Sequence, residues 1–179
     1  MPGAGMGTLL RRGNKPRMKY ARIIAVLAAA SWVSVAAVAA AQTSSSSGDT
    51  AFVQKAAKSG TEEVSEGRVE RTSDDGAARR FASRMVIDHT KANTLLSSIA
   101  RSSGLGAQLE QGIGQAQPAQ ARPGRNYLRK EVSDHEDAIA LFRSEAAHGE
   151  NPRLRAFART TLPTLVMHLQ LAQSSLRNR

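Results

Sequence analysis

The chain has 179 residues, a length typical of one domain, and it contains no cysteine. Disulfide bonds, thiolate metal ligands and a cysteine nucleophile are therefore excluded. The formal net charge at pH 7 is +10, but removing residues 1–41 takes away six basic and no acidic residues and leaves +4. The remaining basic residues form no cluster interleaved with aromatic residues, so we exclude nucleic acid as a partner.

The N-terminal residues 1–41 have the order of a secretory signal. A basic stretch is followed by an uncharged, alanine-rich stretch that ends in small residues. We predict a signal peptide that is cleaved before Gln42, and therefore an exported protein of the periplasm or cell envelope. Translation can start at Met1 or at Met18. An uncleaved segment of this length would instead anchor the chain in the membrane, which is the only membrane contact that we expect.

The mature chain begins with a polar segment and continues as a helical domain. Residues 42–49 are rich in serine, and we predict a flexible linker there. No later segment alternates with a period of two, so we predict an all-helical domain over residues 50–177. Its first helix is predicted over residues 50–71. The solvated face of this helix is expected to carry Glu62, Glu66 and Glu70.

Turn and cap residues divide the rest of the domain into three more helices. The second is predicted over residues 77–102. The third is predicted over residues 125–148 and is closed by Gly149. Asn151 and Pro152 are a typical cap and first-turn proline, so the fourth helix is predicted from there to about Arg177.

Residues 103–124 form the one long connection between the predicted helices. This segment contains five glycines and two prolines, so we predict an irregular conformation. Pro163 is expected to kink or interrupt the fourth helix. Each of the four helices carries an apolar stripe at steps of three and four residues, and four such stripes predict a four-helix bundle.

One polar residue interrupts each apolar stripe near its middle: Glu63, His89, His135 and His168. Residues at the middle of inward stripes meet in one layer of a bundle. Three imidazoles and one carboxylate suit a divalent metal ion such as zinc, iron, copper or nickel. We therefore predict these four residues as candidate metal ligands.

Other polar residues near the stripes have secondary roles in this interpretation. Asp88 and Asp134 each precede a histidine and point about 100 degrees away from it on a helix, so we predict that they orient imidazole rings rather than bind metal. Glu131 can pair with His135 four residues later, but we expect it to face solvent. His148 lies at the end of its helix, where it complements the helix dipole.

The same four residues have a structural interpretation. A buried histidine can hydrogen-bond a carboxylate and fix the register of two helices without any metal. No glycine-rich phosphate loop and no Ser-His-Asp arrangement is found in the sequence. Catalytic residues are therefore not predicted.

Several segments resemble the domain-of-unknown-function 4142 family. They are Met85-Val86-x-Asp88-His89-Thr90-Lys91-Ala92-Asn93, then Asp134-His135, then Leu162-Pro163-x-Leu165-x-x-His168-Leu169. The resemblance covers about residues 49–176. It implies an exported, ferritin-like four-helix bundle in which residues 103–124 cross the length of the bundle. The chain departs from the family at Gly124-Arg125-Asn126, before Tyr127, and it lacks the paired Glu-x-x-His motifs of di-iron ferritins.

Three functions remain open on these grounds. The first is an exported bundle that binds or senses a divalent metal through its Glu and His layer. The second is an envelope interaction or stress-associated module in which the buried polar residues only stabilise the fold. The third is a metal-dependent oxidoreductase. The sequence identifies no protein partner.

Overall fold

The computed structural model describes residues 46–122 and 124–178, and these residues are helical with no strand. The prediction of an all-helical domain is confirmed over this part of the chain. The five helices found there are α1 (Ser47–Glu70), α2 (Gly76–Ser102), α3 (Gly106–Gly114), α4 (Arg125–His148) and α5 (Pro152–Arg177).

The predictions that concern export and the membrane fall largely outside the described residues. The predicted signal segment, residues 1–41, and residues 42–45 of the predicted linker are not among them. Within residues 46–122 and 124–178, no helix combines the length and the apolar character needed to cross a bilayer.

Helix α1 begins at Ser47, inside the predicted linker. The Ser46 hydroxyl accepts a hydrogen bond from the Asp49 amide at 3.0 Å, and the Asp49 carboxylate accepts one from the Ser46 amide at 3.3 Å. This reciprocal pair is a capping box. Asp49 is buried and also accepts hydrogen bonds from the amides of Glu150 and Asn151. Residues 47–49 are therefore helical, because their contacts tie the start of α1 to the turn between α4 and α5.

The opposite end of α1 is fixed by a buried glutamate. Glu70 is 4% exposed, and its carboxylate accepts a hydrogen bond from the Gly124 amide at 2.6 Å. Gly124 has a φ of +64°, which favours glycine. The expectation that Glu70 lies on a solvated face was wrong, because the turn before α4 needs an acceptor for this amide.

Helix α3 lies inside the segment that was predicted to be irregular. Leu105 and Leu109 are buried, and α3 packs against α1. A Cβ atom at Gly112 would lie 2.3 Å from the carbonyl oxygen of Gln54, so only glycine permits this approach. Glycine weakens an isolated helix. Here the contact between two helix backbones outweighs that local preference, and the prediction for residues 103–124 was wrong in this respect.

The end of α4 and the start of α5 follow the predicted cap residues. The Asn151 side chain accepts hydrogen bonds from the amides of Arg153 and Leu154, and Pro152 occupies the first turn of α5. Helix α5 is continuous through Pro163, which is exposed, so the predicted interruption does not occur.

The apolar core has two clusters. On three of the helices, a buried histidine lies in sequence between the residues of one cluster and those of the other. The first cluster includes Phe52, Phe142 and Phe157, whose rings meet edge to face or tilted. The second includes Phe81 and Tyr127. On α2, α4 and α5, the buried histidines come between the residues of the two clusters. The helices therefore bring these histidines to the middle of the packed structure.

Candidate metal centre

Three helices bring three histidines together. His89 comes from α2, His135 from α4 and His168 from α5, and their exposed fractions are 8%, 1% and 1%. The ring centroids lie 5.3 to 5.7 Å apart. One ring nitrogen from each histidine lies within 4.8 Å of the other two. We call these three residues the histidine triad; a single ion can contact all three.

The hydrogen bonds of His135 and His168 determine which nitrogens are free. His135 Nδ1 lies 2.8 Å from the carbonyl oxygen of Glu131, which can only accept, so Nδ1 carries the hydrogen. His168 Nε2 lies 3.0 Å from a carboxylate oxygen of Asp88, so Nε2 carries the hydrogen there. These tautomers are assigned from the partners. A metal-binding histidine typically donates its other N–H to a carbonyl or a carboxylate in this way.

The remaining nitrogens of these two rings face each other. His135 Nε2 and His168 Nδ1 lie 3.3 Å apart. With the tautomers assigned above, both carry a lone pair, so neither can donate to the other. His89 Nε2 is buried and also has no hydrogen-bond partner among the described residues. Two tetrahedral ligands at about 2.0 to 2.1 Å from zinc lie about 3.3 to 3.4 Å apart, which agrees with the observed separation.

The imidazoles of the triad favour the neutral form that a metal requires. Burial, together with the neighbouring His135 and His168, lowers the pKa of His89 to about 3. Burial and His168 lower the pKa of His135 to about 4. Burial also lowers the pKa of His168, although the hydrogen bond to Asp88 opposes that shift.

A second group of potential ligands shares His135 with the triad. Oxygen atoms of Glu63 and Glu131 and a nitrogen of His135 lie within 4.8 Å of one another. Glu63 is 4% exposed and Glu131 is fully buried. The structure therefore places Glu63 beside His135 and Glu131, and not in the group formed by all three histidines.

When both glutamates are ionised, several buried oxygen atoms have no hydrogen-bond partner among the described residues. This holds for Glu63 Oε2, for both carboxyl oxygens of Glu131 and for the buried Tyr127 hydroxyl nearby. Burial raises the pKa of Glu63 to about 7, although a hydrogen bond from Glu131 opposes the shift. Burial and the Glu63 carboxyl group raise the pKa of Glu131 well above its ordinary value. A proton or a cation is needed to compensate this buried charge.

The expectation that Glu131 faces solvent was wrong. Its carboxyl oxygen lies 3.4 Å from His135 Nδ1, and its backbone carbonyl accepts the hydrogen bond from the same nitrogen. A position four residues before a buried histidine on a helix lies on the same face. That spacing is the signal in the sequence that indicates this contact.

The two aspartates before the histidines differ in their contacts. Asp88 reaches across to His168 on α5, and not to the adjacent His89. Asp134 pairs with Lys130, which also contacts Glu66 at 2.8 Å. No hydrogen bond joins Asp134 to an imidazole within the described part of the chain. Of the two residues predicted to orient a ring, the structure thus places only Asp88 against one.

Comparisons with known proteins give one match. No curated protein and no solved structure matches the chain. The family described as "Domain of unknown function (DUF4142)" matches residues 34–174, which is more than half of the sequence. The chain therefore belongs to the domain-of-unknown-function 4142 family, as the resemblance of its histidine segments implied.

Proposed function

We propose that this protein is an exported, ferritin-like four-helix-bundle protein that binds one divalent metal ion through His89, His135 and His168. The observation that carries the proposal is the convergence of three buried ring nitrogens, two of which face each other at 3.3 Å without a hydrogen between them. A cation placed among them would accept all three lone pairs.

The surrounding residues support this role. Glu131 and Asp88 hold the outer N–H groups of His135 and His168, which fixes the rings and increases their basicity as ligands. The carboxyl groups of Glu63 and Glu131 lie next to His135 and would balance the charge of the metal. A set of three imidazoles suits zinc, iron, copper and nickel alike, so the ligands fit each of these four metals.

A structural role for the polar layer is the second candidate. The hydrogen bond from His135 to Glu131 within α4 and the one from His168 to Asp88 both form without a metal, and the second links α5 to α2. In that case the layer would only fix the register of the helices. His89 argues against this alternative, because its buried Nε2 has no hydrogen-bond partner among the described residues.

Elemental analysis of the protein purified from the periplasm tests the proposal. We expect about one equivalent of a divalent metal per chain in the wild type, and less than a tenth as much in His89→Leu. His148→Leu is the matched control, since His148 is exposed at the end of α4, and it should retain the metal. Equal metal contents in the two variants would contradict the proposal.

A further inference from the structure

A small cavity lies beside two of the proposed ligands. Its volume is about 30 Å³, and it touches His89 and His168. Its other walls include the apolar Leu96, Phe142 and Leu165 and the polar Ser59, Asn93 and Thr161. A cavity of this volume has room for about two water molecules. Neither Glu63 nor Glu131 lines it.

The cavity adjoins a surface cleft between α2 and α5. This cleft has a volume of about 250 Å³ and is lined by Lys91 and Leu95, which are exposed. It shares five lining residues with the cavity, namely Asp88, Ala92, Phe157, Thr161 and Thr164. The cleft therefore brings solvent next to the wall of the cavity.

The ligand count leaves one coordination position to be filled. The triad supplies three nitrogens, whereas a tetrahedral zinc-type site has four ligands. Glu63 groups with Glu131 and His135, and not with His89 and His168, so its carboxylate is not placed to complete the triad. The cavity is the open space that borders the triad on the side of His89 and His168.

We infer that the bound metal keeps one exchangeable coordination position that faces this cavity, and that this position takes a metal-binding molecule of two or three heavy atoms. The inference rests on the proposed function. The size of the cavity limits the ligand to this length, because the aromatic and aliphatic walls close around it.

Azide binding to the protein loaded with Co²⁺ tests the inference, because the visible absorption of Co²⁺ reports its coordination. Ala138→Val adds two methyl groups to the cavity wall. Ala140→Val is the matched control, since Ala140 lies two residues further along α4 and is exposed. Ala92→Val, on the opposite wall, replaces Ala138→Val if that variant does not fold. The stoichiometry of Co²⁺ is measured first for each protein.

We expect azide to change the Co²⁺ spectrum of the wild type and of Ala140→Val in a saturable manner. In the cavity variant, azide should bind at least about tenfold more weakly. Bound Co²⁺ without any response to azide, or equal azide affinity in the two valine variants, would overturn the inference and leave metal binding intact. A wild type that does not bind Co²⁺ at all would overturn both.

Discussion

The hydrogen bonds around His135 and His168 link the metal chemistry to the stability of the metal-free protein. They leave lone pairs on His135 Nε2 and His168 Nδ1, which face each other at 3.3 Å. The buried Nε2 of the neighbouring His89 also has no hydrogen-bond partner among the described residues. Buried polar atoms without partners reduce stability. The metal-free protein is therefore less stable than its packing allows, and a bound cation removes the deficit.

Replacing His89 separates this account from a structural polar network. His89→Leu keeps a similar volume and removes a buried nitrogen that has no hydrogen-bond partner in residues 46–122 and 124–178. We expect the variant to raise the free energy of unfolding of the metal-free protein by about 1 to 3 kcal/mol. Added zinc should stabilise the wild type, by about 2.7 kcal/mol at 100 times the dissociation constant, but should not stabilise the variant. Thermal or urea unfolding with and without zinc measures both effects.

His148→Leu serves as the control for that experiment, because it changes an exposed histidine on α4. Its response to zinc should match that of the wild type. A structural network predicts the reverse result for His89→Leu, namely a loss of stability that is the same with and without zinc.

Replacing Glu131 tests the role of its carboxyl group beside His135. Glu131→Gln preserves the backbone carbonyl that accepts from His135 Nδ1 but removes a carboxyl group that would ionise to balance a cation bound next to it. We expect the affinity for zinc to fall by about 10- to 100-fold, the range typical of residues that contact a metal ligand. Asp134→Asn is the matched control, because Asp134 pairs with Lys130. Zinc titration calorimetry of both variants gives the comparison; equal affinities would rule out a role for the Glu131 carboxyl group in metal binding.

The sequence predicted the burial of the histidines but not their hydrogen-bond partners. Spacing along a helix places His135 on the inward face, yet Glu131 and Val132 are both close enough to that face to point inward. Asp88 is adjacent to His89 in sequence, but its hydrogen bond goes to His168, 80 residues away. Such contacts depend on how two helices pack, and a pattern within one helix does not determine this.

At the scale of the helices, Gly112 is the residue that permits α3 to lie against α1. Gly112→Ala would place a Cβ atom 2.3 Å from the Gln54 carbonyl oxygen, so we expect a loss of about 1 to 3 kcal/mol in the free energy of unfolding. Gly114→Ala is the control, since a Cβ there meets no atom within 4 Å from the rest of the described structure, apart from adjacent residues and the backbone of its own helix. It should be neutral or stabilising by up to about 1 kcal/mol. Urea unfolding of both variants tests the contact, and a neutral Gly112→Ala would contradict the close packing of α3.

Glu145 makes the junction between α4 and α1 sensitive to pH. Burial, together with the neighbouring Asp49, raises the pKa of Glu145 to about 7. Between about pH 4.5 and 7 the folded protein therefore holds a proton that the unfolded chain does not. The contribution to stability is complete below pH 4.5 and is lost as the pH rises through 7.

Glu145→Gln cannot ionise and should escape this loss. We expect the variant to match the wild type near pH 4 and to exceed its stability by about 1 to 3 kcal/mol at pH 8. Glu150→Gln, which changes an exposed side chain in the same turn, is the control and should follow the wild type. The measurement is urea unfolding of metal-free protein at pH 4, 6 and 8. A constant difference between Glu145→Gln and wild type at all three values would contradict the account.

The predicted helix boundaries were best where side chains cap the helices. Asn151 and Pro152 located the start of α5, and Gly149 located the end of α4. The start of α1 was missed, because Asp49 is held by amides from residues 150 and 151 that are remote in sequence. Helix α3 was missed because its glycines indicate low helix stability. The close contact with α1 that Gly112 permits depends on tertiary packing, which the sequence pattern does not show.

At the scale of the whole molecule, the buried histidines lie where one bound metal ion would contact several helices. The histidine triad joins α2, α4 and α5 between the two apolar clusters. A metal ion bound there would link α2 to the consecutive helices α4 and α5. Because the unfolded chain lacks such a preformed site, the free energy of metal binding would add to the stability of the fold.

The export of the chain is a prediction at this scale. If residues 1–41 are a cleaved signal peptide, the mature protein should begin near Gln42 and should be recovered from the periplasmic fraction. Mass spectrometry of the purified intact protein measures the N-terminus directly. An N-terminus at Met1 or Met18 in the membrane fraction would indicate a retained anchor instead.

X-ray absorption spectroscopy of the zinc-loaded protein tests the central claim most directly, because it measures the ligands of the metal. The account predicts about one zinc per chain, light-atom ligands at about 2.0 to 2.1 Å and the outer scattering of three imidazole rings. In His89→Leu the outer scattering should fall to that of two rings or the metal should be lost. Zinc coordinated by oxygen atoms alone, without imidazole scattering, would contradict the account.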